Sequence, residues 1–154
     1  METSFHAVAG RPKDENDALW SREIANSGAG PDAALPVYFI RFAAGPRTIL
    51  LSVASQGEPT CDNGPNDVSA TRDYAVCPGK VALVEGGRPA AVRATGPLCA
   101  EVINDGVAPG APDWKDLNAW GTRGRYDATG GTIEMVTMQG GHPEPACAKR
   151  LRVR

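Results

Sequence analysis

The chain has 154 residues and a formal net charge of −2, with 42% hydrophobic and 22% charged residues. This length fits one domain with enough interior to fold without a metal or a partner. The near-neutral charge excludes both the broad cationic footprint of a general nucleic-acid binder and the acid excess of a nucleic-acid mimic. No run of 18 apolar residues occurs, which excludes a transmembrane helix.

Eighteen glycines and thirteen prolines make up about a fifth of the sequence, against a usual total of about 12%. Punctuation this dense leaves little room for long helices and points to many short elements. Arginine outnumbers lysine twelve to four, an association with GC-rich bacterial coding sequences rather than a mechanism. Residues 1–12 show no periodicity and are expected to be a flexible N-terminus, with 13–154 as one globular domain. The start lacks the basic residues and apolar run of a signal peptide. Either the protein is cytosolic, or Met1 stands in place of a removed leader.

Residues 14–27 read as the best helix. Acidic residues crowd its first turn, where the helix dipole favours them, and Leu19, Trp20 and Ile24 give an apolar stripe. Gly28 and Gly30 end it. The strongest β signal follows. Tyr38, Ile40 and Phe42 alternate along 37–42, and Ile49, Leu51 and Val53 alternate along 47–54, with Gly45-Pro46 between the two runs. The pattern predicts an antiparallel hairpin. A long polar loop, 55–71, comes next, and loops of that length in a compact domain are often functional.

Beyond it the expected elements are short. Strands are predicted at 73–77, at 80–85 and 90–94 around Gly86-Gly87, and at 97–104. A loop at 105–113 precedes a short helix at 114–120, capped by Asp113 and carrying Trp114, Leu117 and Trp120. The last third reads as a hairpin in which 123–129 meets 132–138 across Gly130-Gly131. A final strand is predicted at 147–153. The fold expected from this tally is mainly β, an antiparallel sandwich or partly closed barrel with one or two short helices. The alternative is an α+β layout with the N-terminal helix packed on an antiparallel sheet.

The four cysteines, Cys61, Cys77, Cys99 and Cys147, form no C-x-x-C, so neither a zinc ribbon nor a thioredoxin-type site is indicated. Cys61 and Cys77 each adjoin turn residues, which suits disulfide staples better than core packing. The expected pairing is Cys61–Cys77 and Cys99–Cys147. Disulfides imply a periplasmic or extracellular location, and reduced cysteines would imply the cytoplasm.

No convincing catalytic set stands out. His142 lies in Gly-Gly-His-Pro-Glu-Pro and reads first as a turn. A hydrolase would have to use it with a carboxylate such as Asp127 or Glu144. Asp62-Asn63-Gly64-Pro65-Asn66-Asp67 resembles a calcium loop, but Gly64, Asp67 and Asp73 fail at positions three, six and twelve, so no metal and no cofactor is expected. Along Lys149 to Arg154 the alternation sets Leu151 and Val153 on one face and Arg150, Arg152 and Arg154 on the other. This is either an edge strand guarded by charge or a cationic strip for an anionic partner.

The function expected on these grounds is an exported or envelope-associated bacterial protein of non-enzymatic type. It would bind a protein partner, not nucleic acid, as inhibitors, immunity factors and surface antigens do. Asp62, Asn63, Asn66, Asp67, Arg150, Arg152 and Arg154 are the expected contacts. A lipocalin-like carrier of a small apolar ligand and a hydrolase using His142 are the alternatives.

Overall fold

The two alternating runs form the predicted hairpin, β3 (Val37–Ala44) and β4 (Arg47–Ala54), with Ile40 opposite Leu51 and Phe42 opposite Ile49. The computed structural model describes residues 2–4, 6–7, 15–26, 37–54, 75–100 and 121–153. The predicted loops at 55–71 and 105–113, the helix at 114–120 and the side chain of Tyr38 lie outside the described residues. In the hairpin turn Gly45 has φ of +65°, a left-handed value that glycine adopts without a Cβ clash.

The four short strands expected between 73 and 104 are two long ones, β5 (Ala75–Glu85) and β6 (Arg88–Ala100), turning at Gly86-Gly87. Pro78-Gly79, read as a break, lies inside β5. Pro78 faces Pro97 and Gly79 faces Gly96 across the ladder. The pairing of β4 with β5 ends at Val53 and Gly79, and β6 is the last strand of its sheet. Two prolines opposite each other fit a non-hydrogen-bonded position there, where no ladder bond needs their missing N–H. Gly79 also permits a close approach, since a Cβ would lie 2.8 Å from Leu98 Cδ1.

Within the segment expected to be flexible lie β1 (Glu2–Ser4) and β2 (His6–Ala7). Each is an edge strand of its sheet, with β1 on β7 (Gly121–Asp127) and β2 on β3. The ladders supply hydrogen-bonding partners that the segment's own pattern does not reveal. Next to β7 runs β8 (Thr132–Gln139), followed by β9 (His142–Pro143), a 3₁₀ turn at Pro145–Cys147 and β10 (Lys149–Arg152). The strand expected at 147–153 is thus shorter, and its first residue belongs to the turn.

The strands make two antiparallel sheets. Sheet I has the order β2-β3-β4-β5-β6, and sheet II has β1-β7-β8-β10 with β9 also on β8. Among the described residues no ladder joins the two, so these strands pack as a sandwich rather than a closed barrel. Ile40, Phe42, Ile49, Leu51, Val53, Cys77, Val81 and Leu98 of sheet I meet Ile133, Met135, Leu151 and Val153 of the sheet II side in one apolar core. Each such side chain, fully buried, contributes roughly 1.5–3 kcal/mol.

Sheet I is covered on its other face as well. The predicted helix is two, α1 (Glu15–Leu19) and α2 (Ser21–Asn26), broken at Trp20. Leu19 and Trp20 pack on Leu50, Ala82 and Val84, with Phe39 beside them. Polar contacts fix this layer. Lys80 Nζ donates to Glu23 Oε1 at 2.7 Å and to the carbonyl of Leu19 at 3.1 Å, and lies 4.4 Å from the centre of the Trp20 ring. Arg41 pairs with Glu15 at 2.7 Å. The sandwich and the helix-on-sheet layout expected as alternatives are therefore both present, on opposite faces of sheet I.

Candidate functional site

Two features remain once the core is accounted for: the rim where the sheets meet, and the outer face of sheet II. At the rim, the return strand along β8 is interrupted between β9 and β10. The amide of Glu144 still donates to the carbonyl of Thr137 at 2.8 Å. The chain then turns, with Glu144 Oε1 accepting from the amide of Ala146 at 3.3 Å. The turn carries Cys147 to Cys99 on β6, and the two form a disulfide with Cα atoms 5.6 Å apart. One predicted bridge is thus present. Cys77 is also disulfide-bonded, and its expected partner, Cys61, lies outside the described residues. Cys77 itself is fully buried within β5 rather than at a turn.

Two residues past Cys147, Lys149 donates to the carbonyl of Pro97 at 2.9 Å. Partial burial at the rim pushes its pKa below the usual lysine range. The same short segment therefore ties sheet II to sheet I twice, once covalently and once through a charged donor.

On the outer face of sheet II the pleat places Arg125, Glu134 and Arg150 in one cross-strand row. Arg125 Nη2 donates to Glu134 Oε2 at 2.8 Å, and Arg150 Nη2 donates to Glu134 Oε1. The hydrogen bond from Arg125, then that from Arg150, holds the Glu134 carboxyl below the usual carboxylate range. One row along, Arg152 of β10 is opposite Thr132, which is opposite Asp127. Among the described residues Arg152 is exposed and makes no ion pair. In this way the predicted strip of Arg150 and Arg152 becomes part of a patch that includes Arg125. Arg154 and the expected contacts Asp62, Asn63, Asn66 and Asp67 lie outside the described residues.

Arg125 and Glu134 escaped the sequence reading because of register. A two-residue Gly130-Gly131 turn would set Glu134 opposite Asp127. The actual turn spans Ala128 to Gly131, with Gly131 N donating to the carbonyl of Asp127 at 2.8 Å and Thr129 N donating to Asp127 Oδ1 at 3.0 Å. The aspartate side chain stabilises this longer turn, and the two-residue change in pairing brings Arg125 to Glu134. An Asp followed two residues later by Thr was the available signal.

The fold does not bring His142 and Asp127 together. His142 is exposed and pairs with Gln139, whereas Asp127 pairs with Thr132 at the other end of β8, about 23 Å away at strand spacing. Glu144 is engaged in its turn. Among the described residues no group of His, Cys, Asp and Glu is placed to hold a metal ion. No family model, curated protein or solved structure matches this chain.

Proposed function

We propose that this chain is an exported or envelope-associated bacterial protein of non-enzymatic type that binds a protein partner, in the manner of an inhibitor, an immunity factor or a surface antigen. The observation that carries the reading is the Cys99–Cys147 bridge between the sheets, which is compatible with an oxidising compartment. Among the described residues no helix is long and apolar enough to cross a membrane.

A surface suits the binding role better than the interior does. The inner faces are filled by Ile40, Phe42, Ile49, Leu51, Ile133 and Met135, and among the described residues the ladders do not close into a barrel. Alkylation of the freshly isolated native protein without reductant, read by mass, tests the compartment: no modified cysteine is expected, and four would remove the basis for export. Cross-linking the oxidised protein in envelope extract tests the binding. A specific adduct is expected, and a blank result with intact, folded protein would count against a partner.

A further inference from the structure

Sheet I has helices on its outer face, but sheet II presents its outer face bare of helices among the described residues. We infer that this face, at Arg125, Arg150 and Arg152, is where an acidic segment of the protein partner docks. The inference rests on the reading of the chain as a binding protein and deepens it by naming the partner's chemistry.

Arg125 and Arg150 belong to β7 and β10, on either side of β8, so their strands are about 9.6 Å apart. Arg150 and Arg152 are two residues apart on one strand, about 6.8 Å. The three backbone positions thus lie within about 12 Å of one another, about one and a half Debye lengths at physiological salt, close enough to act together on an approaching anion. The alternation also sets Arg123 on this face, while Asp127 and Glu134 share it and Glu2 is opposite Arg125 in the ladder, so four cations meet three acids on a chain whose total is −2.

Glu134 also prepares the site. The side chains of Arg125 and Arg150 are 64% and 69% exposed, yet both are tied to the one carboxylate. A guanidinium has five N–H donors, so each keeps donors for an incoming carboxylate. Restraining two long side chains beforehand lowers the entropy lost on binding. Arg152 adds a cation that makes no ion pair among the described residues, with Asp127 two strands away in its row.

The mixture of signs favours a protein over a phosphate lattice. Duplex DNA or an anionic membrane presents negative charge throughout and would meet Glu134 and Asp127 as well as the arginines. A protein surface can set carboxylates over Arg125, Arg150 and Arg152 and a donor over Glu134, the complementary arrangement that gives selectivity.

The test uses the oxidised full chain and a short fluorescent oligo-glutamate peptide, followed by anisotropy at rising salt. Wild type is expected to bind with an affinity that falls as salt rises. Arg152→Gln, which breaks no ion pair, should weaken binding about two- to fivefold. The triple variant Arg125→Gln, Arg150→Gln and Arg152→Gln should weaken it about tenfold or more, with circular dichroism confirming that it folds. Wild-type affinity in both variants, no salt-sensitive binding by wild type, or tighter binding to phosphatidylglycerol vesicles or duplex DNA would each overturn the inference. Peptide binding by a protein with four free thiols would end the export reading and leave this face standing. Paired thiols with binding indifferent to the arginines would do the reverse.

Discussion

The indole Nε1 of Trp20 donates to the hydroxyl of Ser52 at 2.9 Å, in the buried layer between the helices and sheet I. Both residues are sealed from solvent, at 1% and 0% exposure. Their bond therefore fixes the helical layer in register with β4 rather than merely covering it. Ser52→Ala leaves the indole N–H without this acceptor, and an unmade bond in a buried site costs about 1–3 kcal/mol. The expected outcome is a loss of that size in urea denaturation, with a red shift of tryptophan emission before global unfolding as the layer loosens.

Gly124 faces the ring of Phe42 across the interior. A Cβ at this position would lie 3.0 Å from Phe42 Cζ and 2.9 Å from Met135 Sδ. Glycine in a strand ordinarily costs about 0.5–1 kcal/mol relative to alanine, so an open site would gain from the exchange. Here overpacking, about 1–3 kcal/mol, is the larger effect, because Phe42 is wedged in the core. Gly124→Ala should therefore destabilise by about 1–2 kcal/mol, and Met135→Ala in the same background should recover less than its own cavity costs. Chemical denaturation of the two single variants and the double variant measures both effects.

The Cys99–Cys147 bridge spans a sequence separation of 48. A loop of that size corresponds to about 4 kcal/mol in the chain-entropy model. Replacing both cysteines with alanine should cost about 3–4 kcal/mol and lower the melting temperature. The Lys149–Pro97 contact should survive in part, since β10 stays on β8 through its own ladder. Loss of most β signal by circular dichroism at room temperature would mean that the bridge is needed for assembly of the sandwich and not only for its stability.

Glu134 links stability to acidity. Its pKa is held below 4.5 in the folded protein by the bonds from Arg125 and Arg150. The folded state therefore binds this proton less readily than the unfolded chain does. The stabilisation is fully present above the unfolded value and is lost as pH falls through the folded one. Glu134→Gln lacks it at every pH. The gap in melting temperature between wild type and Glu134→Gln should be constant above about pH 5.5 and close in more acidic solution. A gap that persists after full protonation would show that the carboxylate contributes through packing alone.

Much of the architecture could be read from hydrophobic alternation. Ile40, Phe42, Ile49, Leu51 and Val53 lie on the inner face of one sheet as their spacing implied, and the pairing of Cys99 with Cys147 matches the expectation. The misreadings share a cause, in that a local signal was outweighed by a neighbour distant in sequence. Pro78-Gly79 looks like a turn until Pro97 and Gly96 are known to lie opposite. The helix at 14–27 looks continuous until Trp20 is required by Ser52, 32 residues away. For the candidate site, Arg150 and Arg152 were visible as an alternating strip, but Arg125 depended on the register set by Asp127 in a turn four residues long.

The cross-link at the rim also governs how the molecule responds to a protease. Residues 101–120 lie within the covalent ring that Cys99 and Cys147 close. A cut anywhere in that stretch opens the ring without releasing a fragment, so the halves stay joined and migrate together until a reductant separates them. A molecule nicked there would still carry β7, β8 and β10 tethered to sheet I, and a domain wired in this way tolerates backbone cleavage that would dismember an uncrosslinked one.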